Sequence, residues 1–365
     1  MTSRSESSVV IVANGAIGSA AAERGARIAA ATVGRTHLLG RSTGRLRAGV
    51  DSVRRARSLH PDLVYCIDLA AVPVGVGLLS GRHARLVVDT GDYPSAFFRQ
   101  VGAHGARIAA ARLMEELVYR RAAAVVVRGR HHEAVMRGHG VRRVEVVPDG
   151  VDLSMVRPVS DPELRARLGL SSVLTIGIAG HFTWYGALGG GLGWELVQTL
   201  ARLDDLAVHG VLIGEGPGVP HLRVLAAELG VADRLHVLGR VPYEQYARYL
   251  GLIDVCLLTQ TNDVSSWIRT TGKLPGYLAA GRYVLASAVG TAVDLLPDEM
   301  LVPYEGRWDE TYPEKLAERV RPLVADPSRL GAGNSLRMKA TEFDYTRVAT
   351  RAANVIAEVL AAAPR

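Results

Sequence analysis

The chain has 365 residues, a formal net charge of +7 and 48% apolar residues. This length exceeds one ordinary domain and predicts two, and the apolar content excludes a disordered chain. No apolar run reaches the ~18 residues that a membrane span requires, and we expect no signal peptide, because the first strand follows the amino terminus closely. The two cysteines lie in separate apolar runs, which predicts buried, reduced thiols and a cytoplasmic protein.

The positive charge is concentrated in the first half of the chain. Residues 1–157 hold 23 arginines, no lysine and 13 acidic residues, a net charge of +10, whereas the remainder carries −3. A basic domain predicts an anionic partner, such as a phosphorylated acceptor or a membrane surface touched peripherally. Solvated surfaces and a codon bias toward arginine would give the same count. No zinc-finger or helix-turn-helix spacing accompanies the arginines, so we expect no nucleic-acid partner.

Strands and helices alternate along the whole chain. Short apolar runs predict buried parallel strands at 9–13, 36–39, 63–67, 85–88, 124–127 and 144–147, and again at 173–179, 208–213, 235–238, 255–258 and 283–286. Helices are predicted between most of them. Two successive series of this kind predict an α/β protein with two doubly wound, Rossmann-like domains facing across a cleft. We place the domains at 1–155 and 156–340, followed by a carboxyl-terminal helical segment, 341–365.

Two strand ends in the first half carry candidate ligand groups. The turn after the first strand contains Gly15 and Gly18, which would let the backbone approach a phosphate or a sugar closely. It lacks the third glycine of the dinucleotide fingerprint. The strand at 85–88 leads into DTGDY (89–93), where acids are placed for chemistry, although aspartate also commonly caps turns. Asp92 is the candidate of this domain for orienting an acceptor or a sugar.

The segment 254–287 holds the candidate anion site of the second half. A predicted strand, 255–258, leads through a polar loop, 259–266, to the sequence RTTGK (269–273) at the start of a helix. Two cations, two hydroxyls and the positive end of a helix dipole, at the carboxyl end of a parallel strand, suit an anionic ligand. A capped surface helix with solvated charges would look the same. The groups concerned are Arg269, Thr270, Thr271 and Lys273.

Several segments, taken in order, resemble the family 4 glycosyltransferases, which have the two-domain GT-B fold. VVPDGVD (146–152) is similar to the hinge motif of that family, and YRRAAAVVVRGRHHEAV (119–135) to the segment before the hinge. GEGP (214–217), ELGVADRLHVLGRVPYEQYARYL (228–250) and KLPGYLAAGRYVLAS (273–287) are similar to its carboxyl-terminal blocks. Each match is weak alone, but the ordered set is specific and covers nearly the whole chain.

The resemblance implies a retaining, bacterial-type enzyme that transfers a sugar from a nucleoside-diphosphate donor to a small-molecule or lipid-linked acceptor. It implies no metal and no cofactor, and the sequence has no D-x-D motif. We predict that Arg269 and Lys273 stabilise the leaving phosphate and that Asp92 orients the acceptor or the sugar. The final helix is implied to cross back to the first domain. The predicted donor-binding residues are Gly15, Gly18, His181, Thr183, Gly214, Glu215, Val241, Thr270, Thr271 and Leu274.

The chain departs from the family at three donor-binding positions. Gly276 stands where a ribose-binding glutamate is usual, His181 stands where an arginine is usual, and the glycine-rich segment 186–193 lacks the usual lysine. Asp149 also replaces the asparagine of the hinge motif. These departures leave two other functions open. One is a GT-B phosphorylase, which uses sugar phosphate, and the other is a catalytically silent member that acts as a partner subunit.

Overall fold

The computed structural model describes residues 7–15, 19–40, 45–79, 84–100, 102–186 and 189–362, without the side chains of 45–49 and 71–74. The chain divides into two compact units. Unit 1 comprises Met1–Gly150, Trp267–Thr270 and Tyr345–Arg365. Unit 2 comprises Val151–Ser266 and Thr271–Asp344.

Unit 1 is built on a six-stranded parallel sheet. Its strands are β1 (Ser8–Ala13), β2 (Arg35–Leu39), β3 (Leu63–Ile67), β4 (Arg85–Thr90), β5 (Ala124–Val127) and β6 (Val144–Val146), in the order β2-β1-β3-β4-β5-β6. The central strands are almost entirely buried, because helices cover both faces of a parallel sheet. Those helices include α1 (Ala20–Ala31), α2 (Arg45–Ser58), α3 (Ala71–Leu79), α4 (Pro94–Gln100), α5 (Gly105–Arg121) and α6 (Arg130–Gly138).

Unit 2 contains a second six-stranded parallel sheet and a small hairpin. Its strands are β7 (Leu174–Ala179), β8 (Trp184–Tyr185), β9 (Gly190–Gly191), β10 (Val208–Ile213), β11 (Leu235–Gly239), β12 (Val255–Leu258), β13 (Tyr283–Ser287) and β14 (Leu301–Val302), with the sheet order β11-β10-β7-β12-β13-β14. The helices of this part of the chain are α7 (Pro162–Arg167), α8 (Trp194–Ala201), α9 (Val219–Glu228), α10 (Tyr246–Leu250), α11 (Val264–Ile268), α12 (Lys273–Ala279), α13 (Thr291–Leu295), α14 (Tyr312–Ala325) and α15 (Gly331–Ser335). The predicted fold class, two doubly wound α/β domains, is confirmed.

The last helix, α16 (Tyr345–Ala361), belongs to unit 1. Its buried residues Val348, Ala352 and Ile356 recur every four positions, so they form one apolar stripe. These side chains share a buried cluster with Ile11 and Tyr65 of the sheet. The carboxyl-terminal segment therefore completes a core that the first 150 residues begin.

The β8–β9 hairpin of unit 2, whose second strand lies in the glycine-rich segment 186–193, was not predicted from the sequence. Trp184 pairs with Gly191 in antiparallel register. A Cβ atom at Gly190 would lie 2.1 Å from the Trp308 ring, and one at Gly191 would lie 2.0 Å from the carbonyl oxygen of Thr183. Glycine is required here because backbone and ring approach so closely. The end of the polar segment 259–266 also differs from prediction, since α11 begins there.

Candidate functional site

The strand orders give each unit one topological switch point, where successive connections run in opposite directions. It lies between β1 and β3 in unit 1 and between β7 and β12 in unit 2. Open α/β sheets bind ligands at the carboxyl ends of the strands beside such a point. In unit 2 those ends lead into Gly180 and Thr259, and in unit 1 they lead into Asn14 and Asp68.

The loops that follow β7 and β10 in unit 2 pack backbone against backbone. The N–H of Phe182 donates to the carbonyl oxygen of Glu215 at 2.9 Å. A Cβ atom at Gly214, whose φ is +134°, would lie 1.9 Å from the carbonyl oxygen of Gly180. Only glycine fits this approach, and it holds the two loops at one edge of the sheet. The predicted donor-binding residues brought together here are His181, Thr183, Gly214 and Glu215.

Lys273, the first residue of α12, reaches the same edge of unit 2. A Cβ atom at Gly180 would lie 2.6 Å from Lys273 Cε and 3.5 Å from Lys273 Nζ, so the Lys273 side chain lies across the end of β7. The hydroxyl of Thr271 is buried and has no hydrogen-bond partner among the residues that the structure describes. The Leu274 side chain is buried in the core of unit 2, and half-buried Val241 packs against that core. Lys273 thus brings a cation to the switch point.

A buried carboxylate that the sequence analysis did not identify lies near Lys273. Glu195, in the first turn of α8, is 4% exposed, and its Oε2 accepts a hydrogen bond from the N–H of Gly193 at 3.2 Å. Burial raises the pKa of Glu195, while its hydrogen-bond donors and the Lys273 ammonium oppose that rise. An acid in the first turn of a helix is common, because it stabilises the helix dipole. Its position in the sequence therefore gave no sign of its burial.

Gly276 faces the side chain of Tyr246. A Cβ atom at this position would lie 3.4 Å from the Tyr246 hydroxyl oxygen and 3.5 Å from its ring. Gly276 is itself buried within α12. Alanine would fit without displacement, but a glutamate side chain would require Tyr246 to move.

Unit 1 contains a buried network of charges at the carboxyl ends of β4 and β5. Asp89, which is fully buried, accepts hydrogen bonds from Arg24 Nε at 2.8 Å and from the Tyr65 hydroxyl at 2.7 Å, and it pairs with Arg128. Arg128 Nε also donates to Asp149 at 2.8 Å. Burial by itself would raise the pKa of Asp89, but Arg128 and Arg24 outweigh it and the pKa is lowered. Asp89 therefore stays ionised and anchors both arginines.

Asp68 stands at the switch point of unit 1, directly after β3. It has a left-handed backbone, with φ of 70°. Burial raises the pKa of its carboxyl group to about 6, against the opposing effect of Arg128. A strained non-glycine residue and a perturbed acid at a ligand-binding edge are typical of functional sites. The sequence analysis missed Asp68, although its place at the end of an apolar run could have marked it.

The segment Trp267–Thr270 belongs to unit 1, where Arg269 pairs with Asp92. Arg269 Nη2 lies 2.7 Å from Asp92 Oδ1, and the two side chains are 37% and 56% exposed. The structure thus brings these two predicted residues together. Thr270 is buried. Lys273 falls in the other unit.

The turn after β1 is described only in part. Gly15 is buried, and a Cβ atom there would lie 2.1 Å from the Ser19 hydroxyl oxygen, so a side chain would displace the residue that caps α1. The predicted Gly18 lies outside the described residues.

Two kinds of feature are absent from the part of the chain that the structure describes. No helix there combines the length and the apolar composition needed to cross a membrane. No group of three or more histidine, cysteine, aspartate or glutamate side chains there could hold a metal ion.

Sequence comparisons match most of unit 2 to a known family. The family described as "Glycosyl transferases group 1" matches residues 185–326. A D-inositol 3-phosphate glycosyltransferase from Geodermatophilus obscurus is 30% identical over 218 residues, which are 58% of this chain and 46% of the relative. A 2-deoxystreptamine glucosyltransferase from Streptomyces kanamyceticus is 26% identical over 229 residues, 59% of this chain and 54% of the relative. The chain thus spans about half the length of each relative.

Solved structures match nearly the whole chain in fold. Sucrose-phosphate synthase from Thermosynechococcus elongatus superposes with a TM-score of 0.77 at 19% identity, covering 98% of this chain and all of that one. HepE of Anabaena, solved in complex with UDP-glucose, gives a TM-score of 0.72 at 18% identity, covering 96% of this chain and 99% of that one. The fold is therefore GT-B.

Proposed function

We propose that this protein is a glycosyltransferase that moves a sugar from a nucleoside-diphosphate donor to an acceptor with retention of anomeric configuration. The observation that carries the proposal is the position of Lys273, whose side chain lies across Gly180 at the switch point of unit 2, within the segment that matches the group 1 family. That edge also gathers His181 and Thr183, which follow β7. The relatives that match are themselves glycosyltransferases, and HepE binds UDP-glucose.

In this proposal unit 2 binds the donor and stabilises the departing diphosphate. The bond between the anomeric carbon and the diphosphate oxygen breaks, a bond to the acceptor oxygen forms on the same face, and the acceptor proton passes to the leaving phosphate. Lys273 would offset the charge that develops on that phosphate, which is the largest electrostatic demand of the reaction. No separate protein base and no metal ion is needed.

We assign the acceptor to unit 1. This unit carries most of the excess positive charge, so an anionic acceptor, or a lipid-linked one in an anionic membrane surface, would be attracted to it. Asp92, held by Arg269, would orient an acceptor or sugar hydroxyl. Asp68 joins it as a further candidate, because an acid with a pKa of about 6 can exchange a proton near neutral pH. We also propose a cytoplasmic location.

Thermal-shift measurements with UDP, GDP, dTDP and ADP test the donor half of the proposal, since a ligand that binds only the folded state raises the melting temperature. We expect one of these nucleotides to stabilise the protein, and the corresponding nucleotide sugar to be turned over with a suitable acceptor. The absence of stabilisation by all four would contradict the proposal.

A GT-B phosphorylase is the second candidate, and the environment of Gly276 favours it. This position carries no carboxylate for a ribose and is packed against Tyr246. A phosphorylase would release inorganic phosphate from a sugar phosphate and an acceptor, and would ignore nucleotide sugars. If the protein binds a nucleotide but turns over neither donor, it is a silent family member.

A further inference from the structure

Asp68, at the ligand-binding edge of unit 1, has a carboxylate that no described residue binds. The side chain is half-buried, yet over the described ranges of the chain it forms no hydrogen bond and no ion pair. Other acids at this edge are paired with arginines. The pairs are Asp89 with Arg24 and Arg128, Asp149 with Arg128, and Asp92 with Arg269. Asp68 therefore differs from its neighbours in being left without an arginine of its own.

His132 is a second polar side chain of this edge to which the described residues offer no partner. It lies in the first turn of α6, which begins three residues after β5 ends, and it is 0% exposed. Neither Nδ1 nor Nε2 forms a hydrogen bond. A neutral imidazole has one N–H donor and one acceptor lone pair, so one group of each kind is left unsatisfied. Buried polar groups in this state are rare, because each one destabilises the folded protein.

The two side chains stand on either side of β4. Asp68 follows β3 directly, and its N–H donates to the carbonyl oxygen of Asp89 in β4 at 2.9 Å or less, namely 2.8 Å. His132 follows β5, the strand on the other side of β4. Neighbouring strands lie about 4.8 Å apart, so the ends of β3 and β5 are separated by about 10 Å. A ligand of monosaccharide size spans that gap.

The two groups together select the chemistry of their ligand. The Asp68 carboxylate needs a hydrogen-bond donor, which excludes an anion. His132 needs a partner that both donates and accepts, which excludes an ammonium group as well as an anion. A hydroxyl group meets both requirements, because it carries one donor and two acceptor lone pairs.

We propose that Asp68 and His132 form a hydroxyl-binding subsite of unit 1, which takes the uncharged, hydroxyl-bearing end of the acceptor. This inference rests on the proposed function and deepens it, since it names the part of the acceptor that faces the reaction. The oxygen that attacks the donor sugar belongs to this end. An anionic group of the acceptor lies away from it, toward the arginine-rich surface.

The subsite lowers the stability of unit 1 while it is empty, as functional residues often do. Asp68 has a left-handed backbone, and burial raises the pKa of its carboxyl group to about 6. The charged groups that face this carboxyl are Arg128, Asp89, Asp92 and Asp149. Because the folded-state pKa exceeds the unfolded value of about 4, ionisation of Asp68 opposes folding. The loss of stability is complete above about pH 6 and absent below about pH 4.

The test compares Asp68→Asn and His132→Leu with the wild-type protein. At about pH 8 we expect Asp68→Asn to raise the melting temperature of unit 1 by roughly 3–6 °C, and the gain should disappear near pH 4. Hydrolysis of UDP-glucose, or of the nucleotide sugar that the wild-type protein turns over in its place, should be about tenfold slower in either variant, because water then occupies the position of the acceptor hydroxyl. Nucleotide affinity by calorimetry should not change. Glu116→Gln, at a 57% exposed side chain of α5, is the matched control and should alter nothing.

The outcomes separate this inference from the proposed function. If the wild-type protein binds no nucleotide and turns over no nucleotide sugar, the proposed function fails and the inference fails with it. If the wild-type protein is active and either variant keeps its full rate, only the inference is overturned. A lower melting temperature of Asp68→Asn at pH 8 would give Asp68 a structural role and would overturn it too.

A pH comparison decides the matter if His132→Leu does not fold. The rate deficit of Asp68→Asn should shrink from about tenfold at pH 8 to almost none at pH 5, because Asp68 of the wild-type protein is then protonated. A deficit of the same size at both pH values would overturn the inference.

Discussion

Replacing Asp89 with asparagine should destabilise unit 1 severely. The substitution keeps the size of the side chain but leaves Arg24 and Arg128, which are 6% and 4% exposed, without their shared carboxylate. Removing one partner of a buried ion pair costs about 3–5 kcal/mol. We expect the lower end, about 3 kcal/mol, because Arg24 keeps the carbonyl oxygen of Pro148 at 2.8 Å and Arg128 keeps Asp149. In a unit of this size that loss lowers the melting temperature by about 6–12 °C.

The pH dependence of the Asp89→Asn variant tests the electrostatic origin of that loss. Because the folded-state pKa of Asp89 is lowered, its contribution is fully present above the unfolded-state pKa of about 4 and is lost as the pH falls through the folded value. The variant and the wild type should therefore differ at neutral pH and converge in acid. Thermal unfolding by circular dichroism, with amide exchange of β4 and β5 to identify the unit 1 transition, measures this. Asp51→Asn, whose partner Arg54 is 79% exposed, is the control and should have no effect. A loss under about 1 kcal/mol, or a difference that persists in acid, would refute the reasoning.

Three further predictions concern the proposed site. Lys273→Ala should lower kcat/KM for transfer about 30-fold, because losing a charged hydrogen bond costs about 2 kcal/mol. Unchanged turnover would show that Lys273 does not stabilise the leaving phosphate. Gly276→Glu should lower the melting temperature because it meets Tyr246, whereas Gly276→Ala should be tolerated. If the glutamate variant folds and binds UDP with unaltered affinity by calorimetry, position 276 does not face the ligand. The KM of an anionic acceptor should rise with salt, since the screening length falls from ~30 Å at 0.01 M to ~8 Å at 0.15 M. If the acceptor KM does not change with salt and the protein does not float with anionic vesicles, the arginines of unit 1 are solvated and bind no anionic partner.

Most of the fold was predictable because buried parallel strands leave a local signal. The apolar runs that predicted β1, β3 and β12 end within one residue of the observed strands. β14 and the β8–β9 hairpin were missed. Each of these strands has two residues, too few to show a period, and glycines carry no side-chain pattern.

The chemistry of the sites was less predictable, because their contacts join distant parts of the chain. Asp89 contacts Arg24 and Arg128, which are 65 and 39 residues away in sequence. The sequence grouped Arg269 with Lys273 by proximity, but the structure pairs Arg269 with Asp92, 177 residues away. The burial of Glu195 depends on the packing of α8 against α9 and α14, which no local pattern contains. Residue type and position at a strand end indicate where a ligand site lies, and tertiary contacts decide which charges remain available.

The place of α16 in the unit 1 core has a consequence for how the protein is made. Its buried stripe covers Ile11 and Tyr65, but Tyr345 leaves the ribosome long after Gly150 does. At about 5–20 residues per second, the roughly 200 intervening residues take about 10–40 s to translate. During that time the nascent amino-terminal sheet presents an uncovered apolar face, a natural target for a chaperone. Deleting α16 would make that exposure permanent, so a shortened protein should aggregate during expression even though every residue of the sheet is present.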